Sequence, residues 1–90
     1  MGFRFRKGLG ISYDKQGLIF FTSRTYDEQN ERVRRKIEQL CQAAAGEHWR
    51  ALLCYVTTNA GTVVVCQRYH ISEATLCRAV RRYYRLWETR

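Results

Sequence analysis

Apolar and basic residues alternate at the start of the chain, and this two-residue period is typical of a half-buried β-strand. Residues 3–6 (Phe-Arg-Phe-Arg) show it most clearly. Two further apolar runs, at 11–13 and 18–21, flank residues 14–17 (Asp-Lys-Gln-Gly), which suit a hairpin loop built on a type I turn. The pattern therefore predicts an N-terminal β-ribbon within residues 1–24. Because an isolated aromatic ribbon is marginal in water, we expect it to be an assembly element.

From residue 25 onward the apolar positions follow the period of amphipathic helices. A capping box from Thr25 to Glu28 predicts the start of one helix, and Gly46 predicts its end. A second helix is expected over residues 47–58, followed by turn residues. The core positions predicted for these two helices are Val33, Ile37, Leu40, Cys41, Ala44, Trp49, Leu52, Leu53 and Val56.

Residues 62–88 predict two further helices that a short turn connects. Thr62 is the expected N-cap of the first, which ends at Tyr69, and Ser72 is the expected N-cap of the second, with Glu73 in its first turn. The small residue Cys66 is expected where the two helices approach most closely. Such a pair is a helix-turn-helix unit. Its predicted core comprises Val65, Tyr69, Ile71, Leu76, Ala79, Val80, Tyr83 and Trp87.

The predicted fold is α+β and mostly α, in one domain of 90 residues. The ribbon precedes a bundle of about four helices in residues 25–90, the last two forming the helix-turn-helix. Sixteen Lys and Arg against eight Asp and Glu give a formal net charge of +8, which favours phosphate or acidic partners. No apolar run has the length of a membrane helix, so we expect no membrane partner and a cytoplasmic, nucleoid-associated location.

Residue types that support catalysis or metal binding do not form a known motif. The four cysteines (Cys41, Cys54, Cys66 and Cys77) are too far apart for a zinc knuckle and are expected to be reduced thiols. A nucleophile elbow, a phosphate-binding loop and paired carboxylates are all missing. We therefore expect a protein that is not an enzyme and that needs neither a metal nor a cofactor.

The run CQRYHISEATLCRAVRRYY, residues 66–84, resembles the helix-turn-helix of bacterial and phage regulators and recombinases. With the preceding helix and the total length, it is most similar to small helical repressors, nearest to the adhesin-biosynthesis regulators of fimbrial operons and related plasmid repressors. The resemblance covers residues 47–87. One departure is His70, where these turns usually have Gly because the residue often takes a positive φ.

Charge and resemblance together predict a sequence-specific transcription regulator that binds double-stranded DNA with helix 72–88 in the major groove. A homodimer or higher homo-oligomer is expected, through the ribbon or helix 27–45. Two alternatives are a recombination accessory factor that bends DNA and a basic adaptor or inhibitor that binds an acidic protein. The expected base contacts are Ser72, Glu73, Ala74, Cys77, Arg78 and Arg81, and the expected phosphate contacts are Thr62, Gln67, Arg68, Arg82 and Arg85.

Overall fold

Residues 3–89, which the computed structural model describes, form five α-helices. Residues 3–12 are an irregular segment that precedes the first helix. Two short 3-10 turns, Tyr26–Glu28 and Gly46–His48, separate the first three helices. The helices are α1 (Tyr13–Arg24), α2 (Glu31–Ala45), α3 (Trp49–Thr57), α4 (Thr62–Tyr69) and α5 (Glu73–Thr89).

The predicted N-terminal β-ribbon is wrong, and the fold is all-α over the described residues. No strand occurs between residues 3 and 89, and the expected hairpin loop lies inside α1. Ser12 starts this helix because its side chain accepts a hydrogen bond from the Lys15 N–H at 3.3 Å, with Asp14 in the first turn. The apolar run at 18–21 instead follows the helical path of α1, whose buried positions are Gln16, Ile19 and Ser23.

The irregular N-terminal segment is fixed to α1 by the side chain of Gln16, which is fully buried. Its Oε1 accepts from the Arg6 N–H at 2.8 Å, while its Nε2 donates to the carbonyls of Arg6 at 2.9 Å and Ile11 at 3.0 Å. Leu9 and Ile11 are buried in the core on either side of a turn at Gly10. The side-chain amide of Gln16 therefore provides hydrogen bonds to backbone groups of a segment that has no strand partner.

The boundary between α1 and α2 also differs from the prediction. The Thr25 hydroxyl donates back to a carbonyl of α1 at 2.8 Å, so it does not cap the next helix. Residues 26–28 form a 3-10 turn, and Asn30 caps α2 by accepting from the Val33 N–H at 3.0 Å. The predicted end at Gly46 is confirmed, since this glycine has a φ of 56°.

The core lies where α2, α3 and α5 meet, and α1 and α4 cover it. Several predicted core residues, Val33, Trp49, Leu53, Tyr69, Ile71 and Trp87, are only partly buried and pack around it, as does Cys66 of the predicted helix crossing. The structure adds Leu9, Ile11, Ile19, Ala51 and Tyr84, which the sequence did not assign to the core. The predicted core residues that are buried are Ile37, Leu40, Cys41, Ala44, Leu52, Val56, Val65, Leu76, Ala79, Val80 and Tyr83.

A buried hydroxyl pair joins α1 to α5. The Ser23 hydroxyl donates to the Ile19 carbonyl at 2.8 Å, so the Tyr83 hydroxyl donates to Ser23 Oγ, 2.6 Å away. Burial raises the pKa of the Tyr83 phenol, which keeps it protonated as this donor. The pair therefore holds α1 against the face of α5 that is opposite to the solvent.

Candidate nucleic-acid interface

Three residues connect α4 and α5, because α4 ends at Tyr69 and α5 begins at Glu73. His70 takes the left-handed conformation, with φ 56° and ψ 47°, and is the one non-glycine residue between 3 and 89 with a positive φ. The N–H groups of His70 and Ile71 both bond to the Cys66 carbonyl. His70 therefore occupies the conformation for which glycine is usual at the end of a helix.

Of the two helix caps predicted for α4 and α5, the cap at Ser72 is confirmed and the cap at Thr62 is wrong. Ser72 caps α5, since its hydroxyl accepts from the Thr75 N–H at 3.1 Å. Thr62 is not a cap, because Gly61 occupies the extended N-cap position and Thr62 is already helical. The start of α4 consequently has no side-chain hydrogen bond to its free N–H groups.

Most of the predicted base-contact residues lie on the solvent side of α5. Ser72, Glu73, Ala74, Cys77 and Arg78 are exposed. Arg81 is only partly exposed because its Nη1 donates to the Lys7 carbonyl at 3.3 Å. The N-terminal segment therefore lies against the middle of α5, which the sequence did not predict.

The predicted phosphate-contact residues do not form one group. Gln67, Arg68, Arg82 and Arg85 are exposed on α4 and α5. Thr62 is partly buried and lines a cavity that it shares with Arg4, Arg6 and Arg24. A second, smaller hollow of about 180 Å³ lies between α5 and the end of α2, bordered by Arg78 and Arg82.

The solvent face of α5 carries an arginine stripe, defined here as Arg78, Arg81, Arg82 and Arg85, with the small residue Ala74 at its N-terminal end. These positions recur at helical spacing, and the opposite side of α5 is buried. Of the two glutamates on α5, Glu88 pairs with Lys15 at 3.3 Å, and Glu73 lies in the first turn where the helix dipole favours an anion. The stripe consequently carries an excess of positive charge.

Lys7 is a functional candidate that sequence reasoning missed. Its side chain is exposed, and its carbonyl accepts from Arg81 on the arginine stripe. No local signal could have found this contact, because 74 residues separate the two positions. Lys7 therefore adds a charge beside the stripe.

The cysteines are free thiols in different surroundings. Cys41 is buried, and this burial raises its pKa to about 12, whereas Cys77 is exposed on α5. Within residues 3–89, no group of three or more His, Cys, Asp or Glu is arranged to hold a metal ion. Across the same range, no helix combines the length and the apolar character needed to cross a bilayer.

Comparisons with known proteins identify no relative of this chain: no family model, curated protein or solved structure matches it. The similarity of residues 66–84 to bacterial and phage regulators therefore stays a prediction from the sequence.

Proposed function

We propose that this protein is a transcription regulator that binds double-stranded DNA sequence-specifically through α4 and α5. The observation that carries the proposal is the arginine stripe on a 17-residue helix whose opposite side is buried. The major groove of B-DNA is wide enough for one α-helix, and arginine is the side chain that most often bonds guanine there. The net charge of +8 supplies the attraction to phosphate.

Two arginines of the stripe have different roles in this proposal. Arg78 is exposed one turn after the start of α5, where a recognition helix meets base edges. Arg85 is exposed two turns further along and contacts phosphate. Arg81, fixed by the Lys7 carbonyl, lies between them and has less conformational freedom to lose on binding.

Selection of bound duplexes from a random library tests this function directly. On the selected duplex, Arg78→Ala should relax sequence preference, because a bidentate arginine–guanine contact contributes about 1–3 kcal/mol of discrimination. Arg85→Ala should weaken specific and random duplexes equally and lower the log–log salt slope by about 0.9. Arg32→Ala, which removes an exposed charge from α2, is the matched control.

A library from which no motif emerges would overturn sequence-specific binding. Affinity that does not change with salt would exclude nucleic acid altogether and favour the basic adaptor or inhibitor. Strong bending of the selected duplex, measured by circular-permutation gel shift, would favour the recombination accessory factor.

Assembly is proposed to use an aromatic cluster, defined as Phe3, Phe5, Tyr13, Phe20 and Phe21. Neighbouring ring centroids in it are 5.1–6.1 Å apart. The exposed fractions of Phe21 and of adjacent Leu18 are 58% and 69%, which leaves a contiguous apolar surface in water. A second copy of this chain would cover it and place two α5 helices on one duplex.

Ultracentrifugation of a Leu18→Ser, Phe21→Ser variant tests the assembly. Point changes are preferable to deletion of residues 1–22, since this segment contributes Ile11, Gln16 and Ile19 to the interior. The variant should sediment as a monomer at concentrations where the wild type is a dimer. Equal masses for the two proteins would show that this surface is not an interface between copies.

A further inference from the structure

Three arginines from two separate parts of the chain line one cavity of about 290 Å³ beside the start of α4. Arg4 and Arg6 come from the irregular N-terminal segment, and Arg24 is the last residue of α1. The cavity is distinct from the arginine stripe, because α5 contributes only the inward-facing Tyr84. The remaining lining residues are Phe20, Ser23, Tyr55, Val56 and Thr62.

Neutral groups hold two of these guanidinium groups in place. Arg6 Nη2 donates to the Tyr55 hydroxyl at 3.3 Å, and the Arg6 backbone is fixed by buried Gln16. Arg24 lies over the Phe20 ring, 4.7 Å from its centroid, and its Nη1 donates to Asn59. Uncharged partners therefore hold both guanidinium groups in position and leave their positive charge uncompensated.

The cavity has an excess of positive charge with no acidic residue in its lining. The Arg24 Nε is buried and has no hydrogen-bond partner within residues 3–89. A buried charged donor without a partner is costly, and because the guanidinium charge is delocalised over the whole group, an anion in the cavity would offset part of this cost through its charge. Burial raises the pKa of Tyr84 although Arg6 and Arg24 oppose this, so its hydroxyl stays protonated.

The start of α4 adds a further anion-binding element to the same cavity. Thr62, the first residue of α4, is part of the lining, and the helix has no side-chain cap. The free N–H groups and the dipole at a helix N-terminus favour a negative charge. The first residue of α4 and the three arginines therefore line the same cavity.

We propose that this cavity binds a phosphate group. The planar guanidinium matches phosphate oxygens in a two-point geometry, and several arginines match an anion that carries more than one charge. The cavity volume lies at the lower end of the volumes of ligand pockets. This space suits one phosphate group accompanied either by part of its ester group or by a few water molecules. The phosphate could belong to the backbone of a nucleic acid or to a free phosphorylated small molecule. This site does not depend on DNA binding by the arginine stripe.

Titration of the full chain with inorganic phosphate, followed by ¹H–¹⁵N NMR, tests the site. The amide signals of Tyr55, Thr62 and Tyr84 should move together and saturate, while those on the solvent face of α2 should stay in place. Arg24→Gln should weaken phosphate binding by about tenfold or more, the loss expected for a charge-assisted hydrogen bond. Arg32→Gln removes the same charge from α2 and should leave the affinity unchanged.

Arg4→Gln provides a second variant in case Arg24→Gln fails to fold, since Arg4 is exposed at the edge of the cavity. It should also weaken phosphate binding while the ¹H–¹⁵N spectrum keeps the native dispersion. Equal affinities of wild type, Arg4→Gln and Arg32→Gln would overturn the proposal. Phosphate-dependent shifts spread over all basic surfaces, without saturation at the cavity, would overturn it as well.

Two further arms distinguish the source of the phosphate. If the source is a nucleic-acid backbone, a random duplex should compete with inorganic phosphate at Tyr55 and Tyr84, and Arg24→Gln should lower the salt slope of duplex binding by about 0.9. If the source is a small molecule, AMP should bind at least tenfold more tightly than phosphate and should stay bound when the duplex is added. If the wild-type protein binds phosphate at the cavity but binds no DNA, the result refutes the proposed function and leaves the phosphate site standing.

Discussion

Replacement of Gln16 by alanine tests whether one buried amide holds the N-terminal segment in place. The wild-type side chain makes three hydrogen bonds of 2.8–3.0 Å to the backbone of residues 6 and 11. Gln16→Ala removes all of them and leaves the Ile11 carbonyl buried without this partner. It should therefore release the segment that carries Arg4, Arg6 and Lys7.

The expected loss follows from the number and the burial of these bonds. One hydrogen bond contributes a net of about 1 kcal/mol, so the three together contribute about 3 kcal/mol. Water can replace part of the two bonds to Arg6, which are only partly buried, but not the buried bond to Ile11. The free energy of unfolding should consequently fall by about 2–3 kcal/mol, which lowers the melting temperature by on the order of 10–20 °C.

Urea unfolding followed by circular dichroism measures the total loss, and limited trypsin digestion locates it. Cleavage after Lys7 should become faster in Gln16→Ala, because local release of the segment exposes its backbone. Gln39→Ala, at an exposed position of α2, is the matched control and should change neither measurement. An unfolding free energy within about 0.5 kcal/mol of wild type, with unchanged trypsin cleavage, would refute the argument.

Three further predictions concern α5 and the cysteines. Leu76→Ala should lower the free energy of unfolding by about 2–5 kcal/mol. Ala74→Lys on the solvent face should have the melting temperature of the wild type but should weaken duplex binding in a gel shift. If Ala74→Lys melts early and Leu76→Ala does not, the buried and solvent faces of α5 are exchanged. Tyr83→Phe should cost about 0.5–1.5 kcal/mol in urea unfolding by removing one buried hydrogen bond, and an unchanged midpoint would contradict a role for the bond to α1. Ellman's reagent at pH 8 should modify exposed Cys77 rapidly and buried Cys41 only after unfolding, because a pKa of about 12 leaves Cys41 protonated; fast modification of both thiols would contradict this burial.

The sequence by itself predicted that helices follow from α2 onward and predicted most of their buried faces, but it misplaced the start of α2 and the N-cap of α4. Ile37, Leu40 and Cys41 could be assigned to the core because an amphipathic period needs only neighbouring residues to be recognised. The turn at His70 and the cap at Ser72 are likewise local, since each depends on bonds within a few residues. The outward position of Ala74 and Arg78 follows from the same period.

Only the tertiary structure decided the path of the first 24 residues. In α1 the apolar pattern is inverted, because the helix buries Gln16 and Ser23 while it exposes Leu18 and Phe21. The backbone of the N-terminal segment satisfies Gln16, and the Ile19 carbonyl and the hydroxyl of distant Tyr83 satisfy Ser23. Periodicity cannot reveal such partners, so the apolar runs at 11–13 and 18–21 predicted a ribbon.

The arginine cavity depends on the tertiary structure for the same reason. The sequence predicted Arg4 and Arg6 on the polar face of a strand and Arg24 at the end of the ribbon segment. Hydrogen bonds between Gln16 and Arg6 and from Arg24 to Asn59 hold these two arginines beside the start of α4. Arg4 lies in the same segment as Arg6 and lines the same cavity. Local pattern sets which side of a helix meets water, whereas contacts between distant residues set which charges share one cavity.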